Sequence, residues 1–405
     1  MIFLAIALAA LLVYLLQSRL FTRHAFDSLR YRVRMSTSEV FEGEDVFLYE
    51  ELENGKSLPL PNARVEAELP EGLSFRLHEK QGKNRGKVKL SASASSVFAL
   101  HGGETISRRW RVSCVKRGVY TPKGALIIAG DLFGTDVESK RVELTPDREN
   151  TVTVLPRTID LQKLFTFTDE TDGETTVPRG LLTDPTRICG TREYVPGDPL
   201  NRVNWKSTAV HGQLMTNLEE YSEKECFNIV LNMQSRAVEQ NPGVPGDPNT
   251  VELCITVAAS VLDRLAAKRQ PARLFINAPS DGLDAHLDPA FEGVADQRLM
   301  ITREYRGRED TLETLRLLAA LPMAFSCRAE EMMDLIVSDP ARFARGGNLV
   351  FITSYLDERM LVFHEMMRRA GISVSFYVTG GNRNAAAIPP DVPVAFRTHR
   401  GEVLS

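Results

Sequence analysis

The chain has 405 residues, 43% of them apolar and 25% charged, with a formal net charge of -4 and a pI near 6.1. That balance fits a globular protein of two or three domains, and no basic stripe in the sequence argues for a nucleic-acid partner. Five cysteines (Cys114, Cys189, Cys226, Cys254 and Cys327) with no Cys-x-x-Cys pair exclude a disulfide framework and a thiolate zinc site, and point to a reducing compartment.

In chain order, residues 1–21 come first. Met1 to Leu16 carry no polar side chain beyond Tyr14. With Gln17, Ser18, Leu20 and Phe21 the run reaches about 20 residues, enough to span a bilayer. No Lys or Arg precedes the run and no small-residue cleavage site follows it, so an uncleaved transmembrane anchor is expected rather than a signal peptide. Arg19, Arg23, Arg30, Arg32 and Arg34 follow the run, and positive charge stays inside. The expected localisation is therefore the cell membrane, single-pass, with the bulk of the chain cytoplasmic.

Residues 28–156 alternate with a period of two. "LRYRVRM" places Tyr31, Val33 and Met35 on one face and arginines on the other; "ARVEAEL" and "RRWRVSC" repeat the pattern. Turn signals such as "ENGKS", "LPEGL" and "HGGE" separate these runs. The pattern predicts an antiparallel β-sandwich, immunoglobulin-like. Residues 157–190 are rich in Thr, Asp, Gly and Pro and read as a linker.

Residues 191–224 hold a segment unlike its surroundings, with a Gly-Asp-Pro turn, a Trp and many charges. From residue 225 to 400 short apolar runs alternate with helical stripes. "CFNIVLNM", "ARLFIN", "NLVFIT" and "ISVSFYV" read as strands, while Val251, Cys254, Val257, Ala258, Val261, Leu262 and Leu265 form a helical stripe with Thr250 as its N-cap. "DERMLVFHEMMRRAG" reads as a helix with Gly371 at its C′ position. Such alternation predicts an α/β domain with a mainly parallel sheet.

"REYVPGDPLNRVNWKSTA" resembles the signature of the bacterial domain-of-unknown-function 58 family, at Arg192, Glu193, Tyr194, Gly197, Asp198, Arg202, Trp205 and Ala209. "VKRGVYTPKGALIIAGDLFG" is similar to that family's upstream elements, at Lys116 to Tyr120 and Asp131 to Gly134. The resemblance implies a von Willebrand factor type A-like fold for the α/β domain and a membrane-anchored protein. It also implies a non-enzymatic adaptor or assembly factor working with a MoxR-type AAA+ ATPase. The chain departs from the family in carrying one expected span where many members carry two, and Ala209-Val210-His211 where many carry Ala-Arg.

A type A domain often holds Mg²⁺ through Asp-x-Ser-x-Ser, since hard cations need oxygen ligands. Here Asn232 stands at the aspartate position and Gln234 and Arg236 at the serine positions, so no metal and no cofactor is expected; a metal-dependent adhesion module is the alternative. A second alternative is a cysteine-dependent enzyme using Cys189 and His211, which flank the signature; a thiol nucleophile needs such a base within reach. "HEMMR" at His364 has Arg368 where a zincin helix needs its second histidine. For the signature itself two roles are open. Trp205 as a core plug, with ion pairs among Arg192, Glu193, Arg202 and Lys206, would lock a domain joint. Trp205 exposed among Arg192, Arg202 and Lys206 would be a docking site for a partner's acidic loop.

Overall fold

A computed structural model of the chain describes residues 24–78, 88–130, 137–161, 165–167, 188–194, 203–219, 226–280, 282–291, 299–344, 347–380, 388 and 392–397, with residues 3, 8 and 12–14 ahead of them. The chain divides into two compact units, residues 1–157 with 318–320 and residues 158–317 with 321–405.

The first unit is built from strands. One sheet has the order β1 (Leu29–Met35), β3 (Asp45–Asn54), β8 (Thr105–Cys114), β5 (Leu73–His78), β6 (Val88–Ser91). A second has the order β11 (Val137–Glu143), β10 (Gly124–Gly130), β4 (Leu60–Glu68), β7 (Ser93–Leu100). A small third sheet joins β2 (Glu39–Phe41), β12 (Val152–Leu155) and β9 (Gly118–Tyr120). Every pair in the two larger sheets is antiparallel. The inward positions of both, among them Leu48, Leu52, Phe75, Val65, Phe98 and Ile127, form one core. Alternation in the sequence makes this possible, because successive side chains on a strand point to opposite faces. One inward position is a carboxylate, Glu50. It is fully buried and accepts hydrogen bonds from Tyr31 Oη (3.1 Å), Ser96 Oγ (2.5 Å) and Trp110 Nε1 (3.1 Å).

The second unit holds a mixed sheet of order β13 (Phe165–Phe167), β21 (Val394–Arg397), β20 (Ser373–Val378), β19 (Asn348–Thr353), β16 (Phe227–Leu231), β17 (Ala272–Ile276), β18 (Met300–Ile301). Its central pairs run parallel and both edge pairs run antiparallel. The helices of this unit are α1 (Trp205–His211), α2 (Pro248–Ala267), α3 (Arg308–Ala320), α4 (Ala329–Ser338), α5 (Pro340–Phe343) and α6 (Glu358–Arg369). Every residue of the stripe from Val251 to Leu265 is buried on α2. The N-cap of α2 is Asp247 rather than Thr250: its carboxylate accepts from Thr250 N, and Pro248 fills the first turn, where a missing N–H costs nothing. A separate two-stranded ribbon pairs β14 (Ile188–Glu193) with β15 (Met215–Glu219).

The architecture corrects the sequence-based expectation of a transmembrane helix, an immunoglobulin-like sandwich and a mainly parallel type A-like α/β domain. Strand pairing over the described residues is mainly antiparallel. In the second unit the departure from a mainly parallel sheet lies at its edges, where β13–β21 and β17–β18 pair antiparallel, as edge strands on otherwise parallel sheets often do. The expected anchor at 1–21 lies largely outside the described residues. Among those described, no helix is long and apolar enough to cross a membrane. The expectation of a single-pass membrane protein with its bulk in the cytoplasm is withdrawn with it.

Candidate functional site

The signature segment folds as a ribbon with a short helix set into it. Asn204 caps α1, its side-chain oxygen accepting from Ser207 N at 3.0 Å, and Gly212 ends the helix in a left-handed conformation (φ 69°), its N–H donating to Thr208 O. Seven residues are too few to hold a helix alone. Tertiary bonds supply the rest: Met215 N donates to Thr208 Oγ1 (3.0 Å), Asn204 N to Met215 O (2.8 Å) and Tyr194 N to Leu214 O (2.8 Å). Val203, Met215 and Thr216 are buried beneath, while α1 itself buries no residue.

Trp205 is therefore not a core plug. It opens α1 at 69% exposure, beside exposed Lys206, and Val210 on the same helix reaches 76%. Glu193 is exposed and its carboxylate accepts from Gln213 Nε2 at 2.6 Å; Tyr194 is half-buried. Gly197, Asp198 and Arg202 lie outside the described residues, as do the side chains of Arg192 and Cys189. His211 is exposed at the end of α1, with Nδ1 3.0 Å from Ser207 O.

A second cluster gathers at the carboxyl ends of the central strands. Chain order reverses between β16 and β19, the place where open α/β sheets leave a crevice. Asn232 follows β16 directly. Its Nδ2 donates to Thr353 Oγ1 (3.1 Å), and its Oδ1 accepts from Asn277 Nδ2 (3.0 Å) and Gln234 N (3.1 Å). Asn277 follows β17 in the same way. It accepts from Met233 N (2.7 Å) and donates to Cys327 O (3.0 Å). Gln234 Oε1 accepts from Ala329 N (2.6 Å) and so satisfies a first-turn N–H of α4. Two of the three positions that a type A domain uses for metal binding, Asn232 and Gln234, are thus engaged in neutral amide bonds. Among the described residues no three His, Cys, Asp or Glu side chains come together as a metal set.

Beside this network Cys254 is fully buried, with Sγ 3.4 Å from Ser354 Oγ and 3.2 Å from Thr379 Oγ1. Burial pushes its thiol up to about 11, against the opposing pull of those two hydroxyls, so it stays protonated at neutral pH and is no nucleophile. The Tyr355 phenol is raised as well, by burial first. The next loop is fixed by Glu239. Its Oε1 accepts from Ser235 N (2.6 Å) and Ser235 Oγ (2.7 Å), and its Oε2 from Gly246 N (2.9 Å). Sequence reasoning missed Asn277, Thr379 and Glu239. The one available signal was an asparagine directly after each of two apolar strand runs.

No family model matches the chain, and no curated protein does. Solved structures with some likeness include a CARDB domain from Pyrococcus furiosus, at 13% identity over 31% of this chain and 92% of that one, with a TM-score of 0.18. Others are an Escherichia coli alpha-2-macroglobulin (12% identity, 32% of this chain and 23% of that one, TM-score 0.22) and a beta-glucosidase from Listeria innocua (14%, 29% and 16%, TM-score 0.15). At these scores the likenesses carry no argument about fold or function.

Proposed function

We propose that the protein is a non-enzymatic adaptor that docks a partner protein through the signature ribbon, with Trp205 as the anchor. The supporting observation is a large aromatic side chain held at 69% exposure on a helix that is capped at both ends and tied to the ribbon. Trp is among the residues that dominate interface energetics, and a fixed backbone lowers the ordering cost of binding. A MoxR-type AAA+ ATPase is the partner the sequence resemblance supplies. The test is quantitative binding of a purified MoxR-type ATPase to the full chain and to Trp205→Ala. An exposed residue is removed, so stability should stay within about 0.5 kcal/mol, while affinity falls by roughly thirtyfold or more. Equal binding by a normally folded variant overturns the reading.

A further inference from the structure

The outward face of the β1–β3–β8–β5 sheet carries a charge pattern that the linear sequence hides. The strand register brings six arginines onto it: Arg30, Arg32, Arg34, Arg76, Arg109 and Arg111. Three carboxylates, Asp45, Glu51 and Glu53, share the face, so arginine is in excess. The acids also lie lower. Asp45 is 16% exposed where its partner Arg111 is 56%, and Glu51 is 20% where its partner Arg34 is 50%. Each acid is held by guanidinium: Arg111 Nε reaches Asp45 Oδ2 at 2.8 Å with Arg76 on the same oxygen, Arg30 reaches Glu53 at 3.4 Å, and Arg34 pairs with Glu51. At the centre Phe47 is exposed, and Arg109 stacks over its ring at 4.7 Å.

We propose that this face is a second docking surface, distinct from the signature ribbon, and that it takes an acidic, Asp/Glu-rich segment of a partner protein. Sunken, neutralised carboxylates beneath raised guanidinium groups leave a positive potential at the surface. Stacked and ion-paired arginines are already oriented, so less freedom is lost when they grip carboxylates in bidentate fashion. Arginine and aromatic residues are also the types enriched in protein interfaces. All three carboxylates lie on β3, which separates the arginine row of β1 from that of β8 and so interrupts the positive face along one strand. That interruption suits separate side-chain carboxylates and opposes a continuous phosphate backbone.

The experiment is fluorescence anisotropy of a labelled poly-glutamate peptide titrated with the full chain, at low and at physiological ionic strength. The comparison variants are Arg32→Glu with Arg109→Glu on this face, and Arg64→Glu with Arg141→Glu on the outward face of the other large sheet, an equal change of charge. Circular dichroism confirms folding, and Arg32→Gln with Arg109→Gln serves if the reversal unfolds the unit. Salt-sensitive binding, weakened about tenfold or more by the first pair and little by the second, supports the proposal. Loss of binding to the same degree with both pairs reduces it to net charge and overturns it. So does an absence of binding, or tighter binding of single-stranded oligothymidylate or of anionic lipid vesicles than of the peptide.

Discussion

Asn232 and Thr353 are joined across the reversal of the central sheet, amide Nδ2 to hydroxyl Oγ1 at 3.1 Å, with both side chains fully buried. The bond closes the crevice that the strand order opens, and it does so with neutral groups. The groups bonded to Asn232 are an amide, a hydroxyl and a main-chain N–H, none of them a cation that would meet a charge at this point.

Asn232→Asp tests that closure. The substitution keeps the shape and the acceptor for Gln234 N and Asn277 Nδ2, and buries a carboxylate. We expect a loss of about 2–4 kcal/mol at neutral pH. Burial raises the folded-state pKa of the new carboxyl above its unfolded value, so the native state binds the extra proton. Stability of the variant relative to the parent then recovers as pH falls below that raised pKa and is lost as pH rises through it. Urea unfolding of both proteins at acid and neutral pH checks it; a pH-independent difference refutes the charge argument.

Glu50 is the corresponding test in the first unit. Glu50→Ala strands the donors of buried Tyr31 and Ser96 and of half-buried Trp110, and should cost about 3–5 kcal/mol. Glu50→Gln should cost much less. Its oxygen still serves Ser96 and Trp110, and its amide can donate to Tyr31, whose hydroxyl accepts as well as donates. Chemical denaturation ranks the two; equal losses would mean the charge itself is required.

Asp45 makes part of the first unit's stability acid-sensitive. Burial pushes its carboxyl up, but hydrogen bonds from Ser113 and Arg76 and the charges of Arg76 and Arg111 outweigh that and hold it below the usual range. A depressed folded pKa contributes stability that is present above the unfolded pKa and lost as pH falls through the folded one. The stability gap between the parent and Asp45→Asn should therefore be full at neutral pH and close in acid. A gap that stays constant across the carboxylate range would exclude the linkage.

Gly124 opens β10 at φ 138°, and a Cβ there would lie 2.0 Å from Val142 O on the neighbouring strand. Gly124→Ala should cost about 2 kcal/mol or more, from strain and a backbone clash together. Gly43 has φ 93° with nothing within reach of a Cβ, so Gly43→Ala should show the strain alone, about 1–2 kcal/mol. Thermal unfolding separates the pair, and equal shifts in Tm would remove the clash from the account.

By itself the sequence determined the local patterns. The alternation in "LRYRVRM" places Tyr31 and Val33 inside, the stripe from Val251 to Leu265 is wholly buried, and Gly371 takes a left-handed φ of 79° after α6. Each follows from a period of two, a period of 3.6 or a lone glycine, and needs only neighbouring residues. Tertiary structure alone decided which strand lies beside which and in what direction, because one alternating strand fits many partners. That is why the antiparallel edge pairs of the second unit's sheet, β13–β21 and β17–β18, ran against expectation. Exposure of Trp205 was decided the same way: a tryptophan among charges reads equally as a plug or as an anchor until the ribbon turns it outward. The arginines of β1, β5 and β8 are scattered over 82 positions of sequence, from Arg30 to Arg111, and become one face only when the register of β1, β3, β8 and β5 puts them on one side of a single sheet.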